Sequence, residues 1–164
     1  MWVSRDYQGE GRHDAPDRYG ALYVTESPTS AIAEQLARFR GRRLRPEMLI
    51  RRGDPLALVR YELADGSELI DLDDPGVLLR QTLRPSQVAT RRRHVTQATA
   101  AELFAGHPRA SGLRWWSTLE ASWINVTLFA ERAASKLRAY APVVLSDQQL
   151  PALDEACLAL GLES

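Results

Sequence analysis

Four side chains in this sequence pair a reactive or ligand-holding group with a setting that packing alone does not require: Arg12, Tyr23, Glu34 and Ser117. Arg12 lies in a glycine-bracketed, non-helical stretch, GEGRHD, ahead of a strand. A guanidinium there is a planar fork suited to phosphate, and it is equally at home as a solvated surface cation. Glu34 sits about 160° around a helical wheel from the stripe made by Ile32 and Leu36, flanked by Ala31, Ala33 and Ala37. It reads either as a solvated carboxylate among alanines or as a carboxylate on the floor of a cleft, where small neighbours leave room for a substrate. Tyr23 ends the preceding strand eleven positions earlier, so strand and helix could carry both to one cleft. Otherwise its ring is half-buried core. Ser117 follows Trp115 and Trp116 at a strand end, a frequent place for ligand contact. No general-base motif accompanies it, so it is a hydrogen-bonding group rather than a covalent nucleophile, or simply a turn serine.

The signatures of other chemistries are missing. The sequence has no Gly-rich phosphate loop with Lys, no nucleophile elbow and no paired-His metal motif. His13, His94, His107 and Cys157 have no ligand spacing, so no metal is expected. Cys157 falls in an apolar helical pattern, ALDEACLALGL, and reads as a buried packing residue. The 164 residues carry 21 basic and 21 acidic side chains and 45% apolar ones, the composition of a folded chain rather than a disordered one. No apolar run approaches the roughly 20 residues of a membrane span. Residues 1–11 lack the pattern of a secretory signal, and the expectation is a soluble, cytoplasmic protein. Lys136 is the only lysine, and the arginines cluster at residues 38–45 (RFRGRRLR), 51–52 and 91–93. With zero net charge and no groove-reading motif, those clusters are expected to be solvated faces or partner contacts, without direct nucleic-acid binding.

The elements that must position these residues follow from periodicity and punctuation. No repeat or linker divides the sequence, and residues 1–164 read as one α+β domain. Residues 19–25 (YGALYVT) form a strand, and Ser27 with Pro28 opens a helix running to about Phe39 on the stripe Ile32, Leu36 and Phe39, with Gly41 just past its end. Residues 56–63 (LALVRYEL) and 69–72 (LIDL) are strands around an Asp65-Gly66 turn, which predicts a hairpin. Asp74-Pro75 opens a short helix through Leu83, and residues 96–105 form another, turning Ala98, Leu103 or Phe104 inward and ended by Gly106, His107 and Pro108. Residues 112–116 (GLRWW) and 123–129 (WINVTLF) have the aromatic and β-branched content of core strands. Residues 142–145 form one more strand, and Ser146-Asp147-Gln148-Gln149 has the spacing of a capping box before a final helix.

Two blocks, in this order, carry a family resemblance. The first is Gly11-Arg12-His13-Asp14-Ala15-Pro16, then Leu22-Tyr23, then Ala31-Ile32-Ala33-Glu34. The second is Gly112-Leu113-Arg114-Trp115-Trp116-Ser117 followed by Asn125-Val126-Thr127-Leu128-Phe129. Together they resemble the RES domain, a family named for its Arg, Glu and Ser and best known as toxins of bacterial toxin–antitoxin pairs. His13 stands where the family usually has an aromatic residue, and the family commonly begins with a longer strand bearing another arginine, for which Arg5 is the candidate here; without it a phosphate contact is missing.

The resemblance implies an ADP-ribosyltransferase-like fold, a mixed or antiparallel β core flanked by helices, that takes NAD as its substrate and breaks the nicotinamide–ribose bond. It implies that Arg12 holds the pyrophosphate, Tyr23 stacks on or bonds to the nicotinamide end, and Ser117 bonds to the nicotinamide ribose or a phosphate. Glu34 then stabilises the positive charge that develops on the ribose. It further implies a helix-turn-helix antitoxin as partner in a hetero-oligomer. Depletion of NAD by hydrolysis or phosphorolysis is the expected activity. Transfer of ADP-ribose to a protein is the alternative within the same chemistry, and a non-catalytic module binding a partner through its Arg-rich faces is the alternative from another class.

Overall fold

The computed structural model describes residues 2–146 and 150–163. In chain order the elements are β1 (Ala21–Thr25), α1 (Pro28–Leu36), β2 (Ile50–Arg51), β3 (Asp54–Pro55), β4 (Ala57–Leu58), β5 (Tyr61–Leu63), β6 (Leu69–Asp71), α2 (Pro75–Arg80), α3 (Pro85–Val88), α4 (Arg93–Gly106), β7 (Gly112–Trp116), β8 (Ile124–Phe129), α5 (Ala130–Ala133), β9 (Leu137–Ala139), β10 (Val143–Val144) and α6 (Pro151–Leu160). This is an α+β chain with a mixed sheet. It divides into two compact units, one made of the residues up to Val24 with Glu62–Arg138, the other of Thr25–Tyr61 with the residues from Ala139 onward.

The first unit is built on a four-stranded sheet in the order β1-β8-β7-β6, with β7 and β8 antiparallel and β6 parallel to β7. All six residues of β8 are buried, because it lies between β1 and β7 with both faces covered. On one face Phe129, Leu113 and Trp115 join Tyr19, Leu72 and Leu103 in the main core. On the other, Val126 and Leu128 meet Trp2, Leu22 and Leu63. The two-residue period therefore sends Asn125 and Thr127, both buried, onto the same face as Trp115. Gly112 is required where β7 meets β8, since a Cβ there would overlap the Thr127 carbonyl oxygen. The C-terminus of α4 is closed by Arg132, which donates to the carbonyls of Phe104 and His107 at 2.8 Å and lies 3.6 Å from the Phe104 ring centroid.

The second unit packs α1 on α6. The Ser27 hydroxyl accepts from the Ser30 N–H and Pro28 fills the first turn, as the sequence predicts for this start. Ile32, Ala33 and Leu36 are buried on α1, and Ala156, Cys157 and Leu160 on α6. Cys157 is a buried free thiol that burial pushes above its usual pKa, the packing residue expected of it. Gly161, at φ 62°, ends α6 in the left-handed region, and the chain then bonds back to residues 41–44: the Leu44 N–H donates to the Glu163 carbonyl at 2.7 Å, and the Glu163 N–H to the Arg42 carbonyl at 3.1 Å.

Three expectations are corrected. Residues 56–63 and 69–72 do not form a hairpin: β4 pairs with β10, β5 with β9, and β6 with β7. The Asp65-Gly66 turn is present, with Gly66 at φ 76°, yet a turn constrains only its own residues and the strands beside it found partners further along the chain. The helix expected from Thr96 begins at Arg93, and Ala98 is exposed while Thr96, Ala100 and Leu103 are buried. The helix of residues 28–39 gives way after Leu36 to a 3-10 turn, Ala37–Phe39. The expected capping box at 146–149 involves residues 147–149, which lie outside the described residues.

Candidate functional site

The face of the sheet that carries Trp115 and Thr127 is covered by the loop of residues 9–14, and Asp14 shapes that loop. One oxygen of its buried carboxylate accepts the N–H groups of Gly9 and Gly11, each at 2.7 Å, and the other accepts the Tyr23 hydroxyl at 2.6 Å. Gly11 has no alternative here, because a Cβ would overlap both Asp14 Oδ1 and the Tyr23 hydroxyl. The same hydroxyl accepts the His13 N–H at 2.8 Å. Tyr23 on β1 thus ties the loop to the sheet, and burial followed by its bond to Asp14 raises its pKa.

His13 is 2% exposed, with Nδ1 2.9 Å from Thr127 Oγ1 and its ring edge-on to Trp115 at 4.9 Å. Trp115 Nε1 donates to the same threonine oxygen at 3.1 Å. Burial first, then the Arg12 guanidinium, lowers the imidazole pKa to about 3 against the opposing pull of Asp14. It is neutral at physiological pH.

Arg12 lies over this group. Its guanidinium carbon is 5.2 Å from the Trp115 ring centroid, and Nη1 donates to the carbonyls of Val88 at 3.1 Å and Thr90 at 2.6 Å. The Thr96 hydroxyl donates to the Arg12 carbonyl at 2.5 Å, so backbone and side chain are both fastened. The neutral imidazole beside Arg12 adds no second positive charge.

Ser117 follows β7 on the Trp115 face and is 2% exposed. Its N–H donates to the Trp123 carbonyl at 2.6 Å and its Oγ accepts the Leu119 N–H at 3.0 Å, which closes the turn between β7 and β8. Arg5 is met by Glu131, with a further bond to the Pro16 carbonyl at 3.3 Å. Burial would raise the Glu131 carboxyl pKa, but the bonds from Arg5 and Gly20 outweigh it and the net shift is downward. Arg5 therefore serves the fold, and the charge it would have brought to a phosphate is already balanced.

Of the four candidates, the first unit brings Arg12 and Tyr23 into one network and sets Ser117 just after the strand that carries Trp115. Glu34 belongs to the second unit, exposed on α1 away from the buried Ile32 and Leu36. Sequence reasoning named neither Asp14, Thr127 nor Trp115 as members of a site. The alternation of Asn125 and Thr127 within the apolar run INVTLF was the available signal, since two polar residues at period two in a core strand need partners on one face.

A family model described as the RES domain matches residues 2–152. The chain belongs to that family. Arg12, Tyr23, Glu34 and Ser117 of this RES domain all lie inside the match. A search of curated proteins returns no match. Among the described residues, the RES domain here has no helix long and apolar enough to cross a membrane.

Proposed function

We propose that this chain is the toxin of a toxin–antitoxin pair, with an ADP-ribosyltransferase-like fold, and that it depletes NAD by breaking the nicotinamide–ribose bond. The observation that carries this reading is the setting of Arg12, a fastened cation over an indole with a neutral imidazole beside it. A dinucleotide brings a pyrophosphate and flat rings. A guanidinium matches the first, and the Tyr23 side chain, 40% exposed, offers a stacking surface for the second.

In this reading Arg12 holds the pyrophosphate and Tyr23 stacks, its hydroxyl being taken up by Asp14 and His13. Ser117 bonds to the ribose or a phosphate. Glu34 has the role that the family resemblance implies for it, stabilising the positive charge that builds on the ribose as nicotinamide leaves with the bonding electron pair. Water or phosphate then bonds to the anomeric carbon, and water gives up a proton in doing so. No metal takes part, and a helix-turn-helix antitoxin holds the enzyme inactive.

The test is NAD concentration over time with purified wild-type and Glu34→Ala protein, with and without phosphate. Loss of NAD that needs Glu34 supports the reading, and a phosphate requirement identifies the acceptor. NAD that is lost only when a protein acceptor is added, one nicotinamide being released for each ADP-ribose joined to that protein, favours the transferase. NAD that neither binds nor disappears leaves the non-catalytic module.

A further inference from the structure

The second unit carries a concentration of positive charge that the proposed reaction does not use. Residues 38–52 hold seven arginines and one acidic residue, Glu47. Arg42, Arg43 and Arg45, with Met48, line a cavity of about 350 Å³, and the three arginines are exposed. Among the described residues none of the three side chains makes an ion pair or a side-chain hydrogen bond. Their backbone is nevertheless fixed, by the Gly41 N–H on the Leu160 carbonyl and by the two bonds that join residues 42–44 to Glu163. Like charges held close on a fixed backbone repel one another, and in a chain of zero net charge that cost is relieved when an anion arrives.

We infer that this cavity is a docking site for an acidic segment of a partner protein. Guanidinium forks pair with carboxylates two bonds at a time, and Met48 gives the floor an adaptable apolar contact that a peptide side chain can cover. Ile50, 46% exposed on β2, is a second accessible apolar side chain two positions along the chain. A long nucleic acid is the poorer fit. The one aromatic ring of residues 38–52, Phe39, is half-buried with the Arg38 guanidinium 4.7 Å from its centroid, which leaves no stacking platform. The inference does not depend on NAD chemistry, and its test reads binding alone.

The experiment is fluorescence anisotropy with a labelled peptide of alternating glutamate and alanine, its glutamine counterpart, and a short DNA duplex, each titrated with the full chain. The glutamate peptide should bind and the glutamine peptide should not, with affinity falling as salt is raised. The combined Arg42→Gln, Arg43→Gln and Arg45→Gln variant should weaken binding by about tenfold or more, while Arg60→Gln, whose guanidinium lies on the Tyr140 ring, should not. Circular dichroism shows that each variant is folded, and if the triple variant is not, Arg43→Gln alone should give a smaller loss of the same kind. Absence of glutamate-peptide binding, binding that survives these substitutions, or tighter binding of the duplex at equal salt overturns the inference.

Discussion

The Tyr23 hydroxyl donates to Asp14 Oδ1 at 2.6 Å while accepting the His13 N–H at 2.8 Å. One phenol thereby fixes a carboxylate and the backbone of the residue next to Arg12. Tyr23→Phe keeps the ring and removes both bonds, so it should lower stability by about 2 kcal/mol, read from denaturant midpoints. NAD affinity per folded molecule should be nearly unchanged if the ring stacks. A large loss of affinity at unchanged stability would return the hydroxyl to the ligand.

His13 sets an acid limit on the fold. Its pKa is lowered from 6.5 to about 3 on folding, so the unfolded chain takes up the proton first as pH falls. The stability that neutral His13 contributes is complete above pH 6.5 and is lost progressively toward pH 3, with a slope of up to about 1.4 kcal/mol per pH unit. His13→Phe removes the titration and keeps a ring against Trp115. Denaturation curves across that range should flatten for the variant, and an unchanged slope would mean that other groups govern acid unfolding.

Gly11→Ala should be among the most damaging single substitutions in the first unit. The added methyl group overlaps both partners of the Asp14–Tyr23 bond, so one of them must leave. A loss of about 3 kcal/mol is expected, visible as a lowered melting temperature. Wild-type stability in this variant would show that the loop can shift without the carboxylate moving.

Arg12 and Glu34 should separate stability from activity. Arg12→Lys keeps a charge but cannot span the Val88 and Thr90 carbonyls with the same geometry, so it should cost about 1 kcal/mol and also weaken NAD binding, measured by calorimetry. Glu34→Gln lies on the exposed face of α1 and should melt with the wild type, while its rate of NAD loss falls about a hundredfold or more. Equal rates would remove Glu34 from the reaction.

Local signals in the sequence located most elements but not their partners. The Ser27 cap, the Asp74 cap and the strands of residues 112–116 and 123–129 were legible because each depends on neighbouring residues. Residues 56–63 were not, since what splits them into β4 and β5 is pairing with β10 and β9, far along the chain. The candidate site divides in the same way. Arg12 and Tyr23 stood out by type and setting, whereas the dependence of both on Asp14 and His13 is set by the fold of residues 9–14 against β1 and β8. Arg5 looked like a candidate cation until Glu131, 126 positions away, met it.

The parallel pairing of β6 with β7 has a consequence in time. Asp71 and Arg114 are register partners 43 positions apart, joined by a 2.9 Å ion pair, and α2, α3 and α4 lie in the chain between them. β7 and β8 are separated by a short connection and can zip together early, whereas β6 can join only after a long loop has closed against its entropy. Arg114→Ala should therefore quicken unfolding and leave the refolding rate nearly as it was, a pattern that stopped-flow kinetics can read directly. The β6 edge is expected to join after the β7–β8 pair and to leave before it.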